Sequence, residues 1–389
     1  MFSSSRYGPA IHKVYNHFGS KQRIRSRGVS LFQHKLFRII KPQKGKHART
    51  RRNNKTWIAK FCDIHLYYAV IEQTAQEFFR LIMPWQPKTR ICFHDGNIYL
   101  LSEEIVGFIS FDNVLEEEGY DVLKKKIFSA REYLAGIIII ALFLNESDLK
   151  NANVGFSREG KIIKIDGEFC FTKNYDKTSN TITPDDLKSL PKLISYSPYN
   201  WFDYIRADVN HDDCEFFDEN LNQDNEFRNA INKTILKIII LPSQFIKAFI
   251  ESYDSFEELT DIMIERREML TNAALRCDSF IDYLEQSEND YFEYMEQLKR
   301  FKTMSKFVLW DHLEDADTLF ANTYFRLMIL AKHINLNFIE NWCIKFNINI
   351  NEEYAGGETL LSLSVKQEAY DVVIYLLNTN VLRDQLTSK

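Results

Sequence analysis

The sequence predicts an α+β chain in two lobes, a small sheet carrying one helix followed by a larger, mostly helical lobe. Three observations lead there. Short runs between residues 29 and 110 alternate side chains with the period of two that strands require, interrupted by a single amphipathic helical stretch. From about residue 112 the character turns helical, and residues 131–144 are apolar nearly all round, as in a helix buried inside a larger lobe.

The elements follow in order. Residues 29–40 are β-branched and aromatic, which reads as a strand, and residues 41–52, rich in Lys and Arg, read as a loop. A second strand spans 55–61, with Trp57, Ala59 and Phe61 on one face and Ile58 and Lys60 on the other. Residues 69–83 place Ile71, Ala75, Phe78, Phe79 and Ile82 on one helical stripe, and Pro84 ends that helix. Asp95-Gly96-Asn97 is a turn signal between strands at 91–93 and 98–101, hence a hairpin. After the apolar helix come a polar stretch, 145–153, a turn at Ser157-Arg-Glu-Gly160 and a strand at 162–165. Beyond Pro191 the chain reads as helical to about residue 304, with stops at Thr183-Pro-Asp-Asp186 and Leu241-Pro242. These shifts divide the chain into a basic arm, 1–28, a small lobe, 29–110, a large lobe with a helical extension, 111–304, and a helical C-terminal region, 305–389.

Composition narrows the classes. The chain has 389 residues, 45% of them hydrophobic, enough for two or three globular domains. Its longest apolar run, 135–144, is about half of the roughly 20 residues a membrane-spanning helix needs. The N-terminus lacks the apolar core of a secretory signal. Six scattered cysteines, with no C-x-x-C pair, read as reduced thiols, and His211-Asp-Asp-Cys214 reads as a solvated loop instead of a metal site. The net charge of −5 hides an asymmetry: residues 1–60 hold 16 Lys or Arg and no acid, so the rest carries −21. Such an arm suits an anionic partner, a nucleotide phosphate or an acidic membrane surface, while its few aromatic residues argue against nucleic acid.

One segment carries chemistry. Phosphoryl transfer relies on positioning and charge neutralisation, so a site for it needs a carboxylate near the acceptor hydroxyl and an amide plus a carboxylate for magnesium. Asp148-Leu-Lys-Asn-Ala-Asn153 followed by Gly160-Lys-Ile-Ile-Lys-Ile-Asp166 supplies that set. This segment resembles the protein-kinase catalytic loop, in which the base Asp precedes the magnesium Asn by five positions and the second magnesium Asp follows across a hairpin. The resemblance implies Asp148 as base, Lys150 steadying the transferred phosphate, and Asn153 and Asp166 holding Mg2+. It also implies Lys60 on the nucleotide phosphates, paired with a helix glutamate. Glu72 borders the apolar stripe and is preferred to Glu77, which lies further round. Residues 100–105 end a strand as the interlobe hinge does, so the backbone of Glu103, Glu104 and Ile105 would meet the adenine of ATP.

The departures are specific. No G-x-G-x-x-G loop precedes Lys60, Asn145-Glu-Ser147 replaces the usual His-Arg, Gly-Glu follows Asp166, and no A-P-E segment is present. Ile165-Asp-Gly-Glu168 is similar to the Ile-Asp-x-Glu of small-molecule kinases, and Asp148-x-x-Asn151-x-Asn153 to the loop of phosphoinositide kinases. Residues 357–378 resemble one ankyrin repeat, with Gly357, Thr359 and Leu360 in place, and 325–351 read as a degenerate second one. A kinase-like segment joined to a short ankyrin tail, together with Ala75-Gln-Glu-Phe-Phe-Arg-Leu-Ile82 and Gln86-Pro-Lys-Thr-Arg90, resembles the ankyrin-repeat effectors that Legionella-type bacteria inject through a type IV secretion system. The resemblance implies a two-lobed protein-kinase-like domain, a helical region and a short ankyrin tail that contacts a host protein in the host cytoplasm. The acceptor it implies is a host phosphoinositide or protein hydroxyl. The alternative is a pseudokinase scaffold, which the missing glycine loop favours and the joint presence of Lys60, Asp148, Asn153 and Asp166 opposes.

Overall fold

The structure is a computed structural model that describes residues 47–52, 55–62, 66–94, 97–171, 181–191, 221–253, 257–305, 316–334, 336–346, 348, 353–354 and 357–387. The strand expected at 29–40, the basic arm and His211–Cys214 lie outside the described residues. The small lobe is a four-stranded antiparallel sheet in the order β1-β2-β4-β3, built from β1 (His47–Arg52), β2 (Lys55–Phe61), β3 (Thr89–His94) and β4 (Asn97–Glu103), with α1 (Leu66–Ile82) between β2 and β3. One expectation is overturned here: residues 47–52, read as part of a loop, form β1, paired along its length with β2 in the register Arg49↔Ile58. An edge strand needs its ladder bonds on one side only and tolerates a dense run of cations, so charge content misleads there.

The helix α1 departs from the single stripe its periodicity suggested, because every residue from Ala69 to Ile82 is buried. Ala69 and Val70 pack on the sheet against Ile91, Ile98 and Leu100. The opposite side enters the large core, where Phe78 stacks on Phe143 at 5.2 Å between ring centres and meets Phe249 edge-on. A helix sandwiched in this way cannot present a polar face to water, so its polar residues must find partners inside.

The large lobe opens with β5 (Ile109–Ser110), α2 (Phe111–Glu118), α3 (Tyr120–Ser129) and α4 (Arg131–Phe143), buried from Leu134 to its end. A one-turn 3-10 helix, Asn151–Asn153, leads into β6 (Val154–Phe156) and β7 (Ile162–Lys164), which form a small sheet in the order β5-β6-β7. Then come α5 (Pro184–Ser189), capped by a Thr183–Asp186 capping box, α6 (Asn225–Ile239), α7 (Ser243–Tyr253), α8 (Glu257–Ala274), α9 (Asp278–Leu284) and α10 (Glu288–Ser305). Among the described residues no helix is long and apolar enough to cross a membrane, and the described cysteines, Cys62, Cys92, Cys170, Cys277 and Cys343, are free thiols.

The C-terminal region holds α11 (Ala316–Leu330), α12 (Leu336–Phe346), a two-residue hairpin of β8 (Glu353–Tyr354) and β9 (Glu358–Thr359), α13 (Leu360–Lys366) and α14 (Tyr370–Thr387). The helix pair expected after Gly357 is present, started by a Thr359–Ser362 capping box, but α14 runs to Thr387, well past the short second helix expected. α11 packs on α12 and α13, and α14 on α12 and α13. Among the described residues this is a stack of packed helices.

Helix ends inside this core expose carbonyls that must be paired. Gln297 donates to the carbonyls of Leu81 and Ile82 at the end of α1 at 2.7 and 3.0 Å, and Lys237 sits beside them at 3.4 Å from Ile82 O. Arg266 does the same for α4, donating to Phe143 O at 2.5 Å and Leu142 O at 2.6 Å. Burial, helped by the charge of Lys233, depresses the Lys237 ammonium from 10.5 to about 8. A lysine depressed in the folded state contributes stability that is present above its unfolded value and lost as pH falls through about 8. The Tm of the parent relative to Lys237→Met is therefore expected to rise by a few degrees between pH 7.5 and pH 10, measured by paired thermal melts.

Candidate functional site

Lys60 lies on β2, on the sheet face that α1 covers, where alternation places it two residues from Ile58. Its Nζ donates to Glu72 Oε2 of α1 at 2.9 Å, to Asp166 Oδ1 at 2.7 Å and to Glu168 Oε2 at 2.8 Å. The small sheet, its helix and the loop after β7 thus converge on one ammonium. Glu77, the other glutamate considered for Lys60, is held elsewhere. It is buried, pairs with Arg80 at 2.6 Å and accepts from the Thr89 amide at 2.7 Å. Five residues round a helix is more than a full turn, which carries Glu77 away from the face that Glu72 shares with Lys60.

The large lobe supplies the rest. The segment after α4 turns at Asn145, whose φ of 50° lies in the left-handed region, and then presents Asp148. Lys150 Nζ donates to Asp148 Oδ2 at 2.7 Å, and Asn153 Nδ2 donates to the same oxygen at 3.1 Å and to Asp148 O at 3.0 Å. Two donors on one carboxylate oxygen fix its direction. The β6–β7 hairpin then brings Asp166 back beside this loop, the Ile165 amide donating to Asn153 O at 2.8 Å. Asn151 is buried with its Oδ1 unpaired, an open acceptor in the same loop.

The charges confirm that these groups share one environment. For Lys150, the hydrogen bond it donates to Asp148 raises the ammonium, against burial, and the fields of Asp148, Asp166 and Glu168 add to it. For Asp166, burial opposes ionisation, but Lys60, Lys164 and Lys150 together pull the carboxyl below its ordinary value. Lys60 is raised, its burial outweighed by Glu72 and Asp166. Glu72 shows the cost of the arrangement: burial first, and then the charge of Asp166, push it from 4.5 up to about 7 despite its bond to Lys60.

Glu72, Asp166 and Glu168 have carboxylate oxygens within 4.8 Å of one another. Three carboxylates share one directly bonded ammonium, so acidic oxygens are in excess there. Hard oxygen donors in excess are what Mg2+ takes, and the residues present fit such an ion. Gly167 lets the Asp166–Glu168 turn lie directly on α1, since a Cβ there would come within 3.1 Å of Ala75 Cβ and 3.5 Å of Glu72 O. That close approach accounts for glycine at the position next to Asp166.

The bend after β4 is in place, but the Glu103 amide donates to Lys88 O at 2.8 Å and the Glu104 amide to Thr56 O at 2.9 Å. Ile105 O accepts from Phe108 N at 3.2 Å. The amides of Glu103 and Glu104 are therefore committed to the fold, and only other backbone atoms of this bend would meet a base. Glu168, Glu146 and Lys164 were not singled out from the sequence. Glu168 was in view as the end of Ile165-Asp-Gly-Glu168. Lys164 carried a signal in its setting, a charged residue within the otherwise apolar run Ile162-Ile-Lys-Ile165, where burial demands a partner.

No family model matches the chain, and no curated protein matches it. Among solved structures it is similar to the Helicobacter pylori proinflammatory kinase CtkA, at 15% identity and a TM-score of 0.40, over 66% of this chain and 99% of that one. The chemistry rests on the groups described above.

The two glutamates of α1 separate in experiment. Glu77→Gln, which leaves buried Arg80 without its partner, is expected to lower stability by about 3 kcal/mol. Glu72→Gln removes a carboxylate whose folded-state value is raised, a group whose favourable contribution is lost as pH rises from 4.5 through about 7. Its Tm relative to the parent is expected to be higher at pH 8 than at pH 5. Denaturant melts at the two pH values check both.

Proposed function

We propose that the chain is a kinase-like phosphotransferase that uses ATP with Mg2+ and delivers phosphate to a hydroxyl of a protein or a phosphoinositide. The observation that carries this reading is the single ammonium of Lys60, bonded at once to Glu72 on the small-lobe helix and to Asp166 and Glu168 from the large lobe. Lys60 would hold the ATP phosphates, and Glu72 keeps its ammonium directed into the cleft. Bound Mg2+ would supply charge neutralisation at the phosphates, held by Asp166 and Asn153 with Glu168 beside them. Asp148 takes the proton of the acceptor hydroxyl as that oxygen bonds to the γ-phosphorus and the bond to the β-phosphate oxygen breaks, leaving ADP. Lys150, paired with Asp148 at 2.7 Å, is placed to steady the transferred phosphoryl group.

The choice between protein and lipid acceptors is part of the same proposal. The Asp148-x-x-Asn151-x-Asn153 spacing supports phosphoinositides, and the basic arm would bring such a lipid surface near. The C-terminal stack would bind a host protein, as in a secreted bacterial effector. Ile344, Val365, Tyr370 and Ile374 are exposed apolar side chains available for such a contact. A pseudokinase scaffold is the second reading. One observation favours it: the Lys60 ammonium already meets three carboxylates, which nucleotide phosphates would have to displace in part.

Asp148→Asn, Asp166→Asn and Lys60→Met are each expected to reduce Mg2+-dependent ATP turnover by about 100-fold or more. Tm should stay within a few degrees for the Asp148 variant. Labelled phosphate transfer to a panel of proteins and phosphoinositide vesicles names the acceptor. Absence of turnover in the parent across that panel, with intact nucleotide binding, would favour the scaffold.

A further inference from the structure

Behind the site lies an ion pair that the mechanism above does not use. Lys164 Nζ and Glu146 Oε2 are 2.6 Å apart, and both side chains are 0% exposed. Burying two charges is costly unless each finds further partners, and here both do. Glu146 Oε1 accepts from the Asp148 amide at 2.9 Å, and Glu146 Oε2 also accepts from Cys170 Sγ at 3.1 Å. Lys164 Nζ donates to the carbonyl of Asp166. One end of the pair therefore grips the backbone of Asp148 and the other grips the backbone of Asp166.

The backbone around this pair is held in an unfavourable state. Asn145, Asp166 and Phe171, none of them glycine, have φ of 50°, 63° and 58°, and they lie next to Glu146, two residues from Lys164 and next to Cys170. Left-handed conformations at such residues persist where surrounding contacts over-determine them. The two segments are also stitched together directly, with Ser147 N donating to Phe169 O at 3.2 Å and Phe171 N to Leu144 O at 2.7 Å. A second layer holds the strand from outside: Gln76 donates to Lys164 O at 2.9 Å and Gln86 accepts from the Lys164 amide at 2.9 Å.

We propose that the buried Glu146–Lys164 pair is a positioning unit that sets the catalytic loop and the metal loop relative to each other, so that the carboxylates of Asp148 and Asp166 move as one. This rests on the phosphotransferase reading. The pair does not touch substrate. It acts through two hydrogen bonds to backbone, one of which keeps Asp166 in the conformation that turns its carboxylate toward Lys60.

The test uses the full chain and two double variants. Glu146→Gln with Lys164→Met removes both charges together and keeps an oxygen for the Asp148 amide, but nothing donates to the Asp166 carbonyl. Glu146→Lys with Lys164→Glu keeps an ion pair but breaks both backbone bonds. The readouts are Tm, kcat, affinity for a non-hydrolysable ATP analogue without metal, and the Mg2+ midpoint of the thermal shift in its presence. The expected result is a Mg2+ midpoint raised at least tenfold and kcat lowered at least thirtyfold, with metal-free analogue affinity within threefold of the parent. Unchanged midpoint and kcat in a folded double variant would overturn the proposal and leave the pair a stabilising contact only. If neither variant folds, hydrogen exchange on the parent decides. Adding Mg2+ and the analogue should protect 144–148 and 164–171 together, and protection of one without the other would overturn it. A parent that shows no Mg2+ dependence of analogue binding at all would instead sink the phosphotransferase reading.

Discussion

The arrangement depends on one ammonium group. Lys60 is the only described cation bonded to carboxylates from both lobes at this cleft, one from α1 and two from the Asp166–Glu168 turn. Its field is what allows Asp166 to ionise while largely buried, and without it the three acids would repel one another in a poorly hydrated space. The pair with Glu72 fixes the rotation of α1, and the bonds to Asp166 and Glu168 fix the turn that lies on α1. Small lobe and large lobe are thereby tied to each other through one side chain.

That constraint is reinforced from behind α1. The end of the helix is capped by Gln297 and Lys237 from the helical extension, while Glu77 links it to Tyr253 at 3.4 Å and, through Arg80, to the ring of Phe301. Gln76 and Gln86 reach the open edge of β7 and bond its backbone where a further strand would otherwise pair. The helix that bears Glu72 is therefore held by polar contacts along its length and at its C-terminal end. A change of position of α1 would have to break several of them at once, so the extension beyond the small lobe is part of what keeps the cleft assembled.

Much of this was legible in the residues. The Asp148–Asn153–Asp166 spacing, the apolar helix before it and Lys60 on a strand ahead of an acid-bearing helix are local patterns, and local patterns survive into the structure. The 47–52 strand was hidden because its cations mimic a loop and its pairing is a long-range choice of register. The all-round burial of α1 was hidden for a related reason: Glu72, Gln73, Gln76, Glu77 and Arg80 look like a solvent face until their partners, up to 176 positions away for Tyr253 on Glu77, are known. Glu77 could be separated from Glu72 only once Arg80 and Thr89 were seen around it.

The substitution of Asn145-Glu-Ser147 for His-Arg has a physical sense that the sequence alone could not show. A donor to the carbonyl of Asp166 is needed if that residue is to stay left-handed, and a glutamate cannot donate. Lys164 provides the donor from β7, and Glu146 is then required as its counter-charge, because an unpaired ammonium at full burial would deprotonate or unfold its surroundings. The acid two residues before Asp148 and the lysine two residues before Asp166 thus compensate each other: each is tolerable at full burial because the other is there.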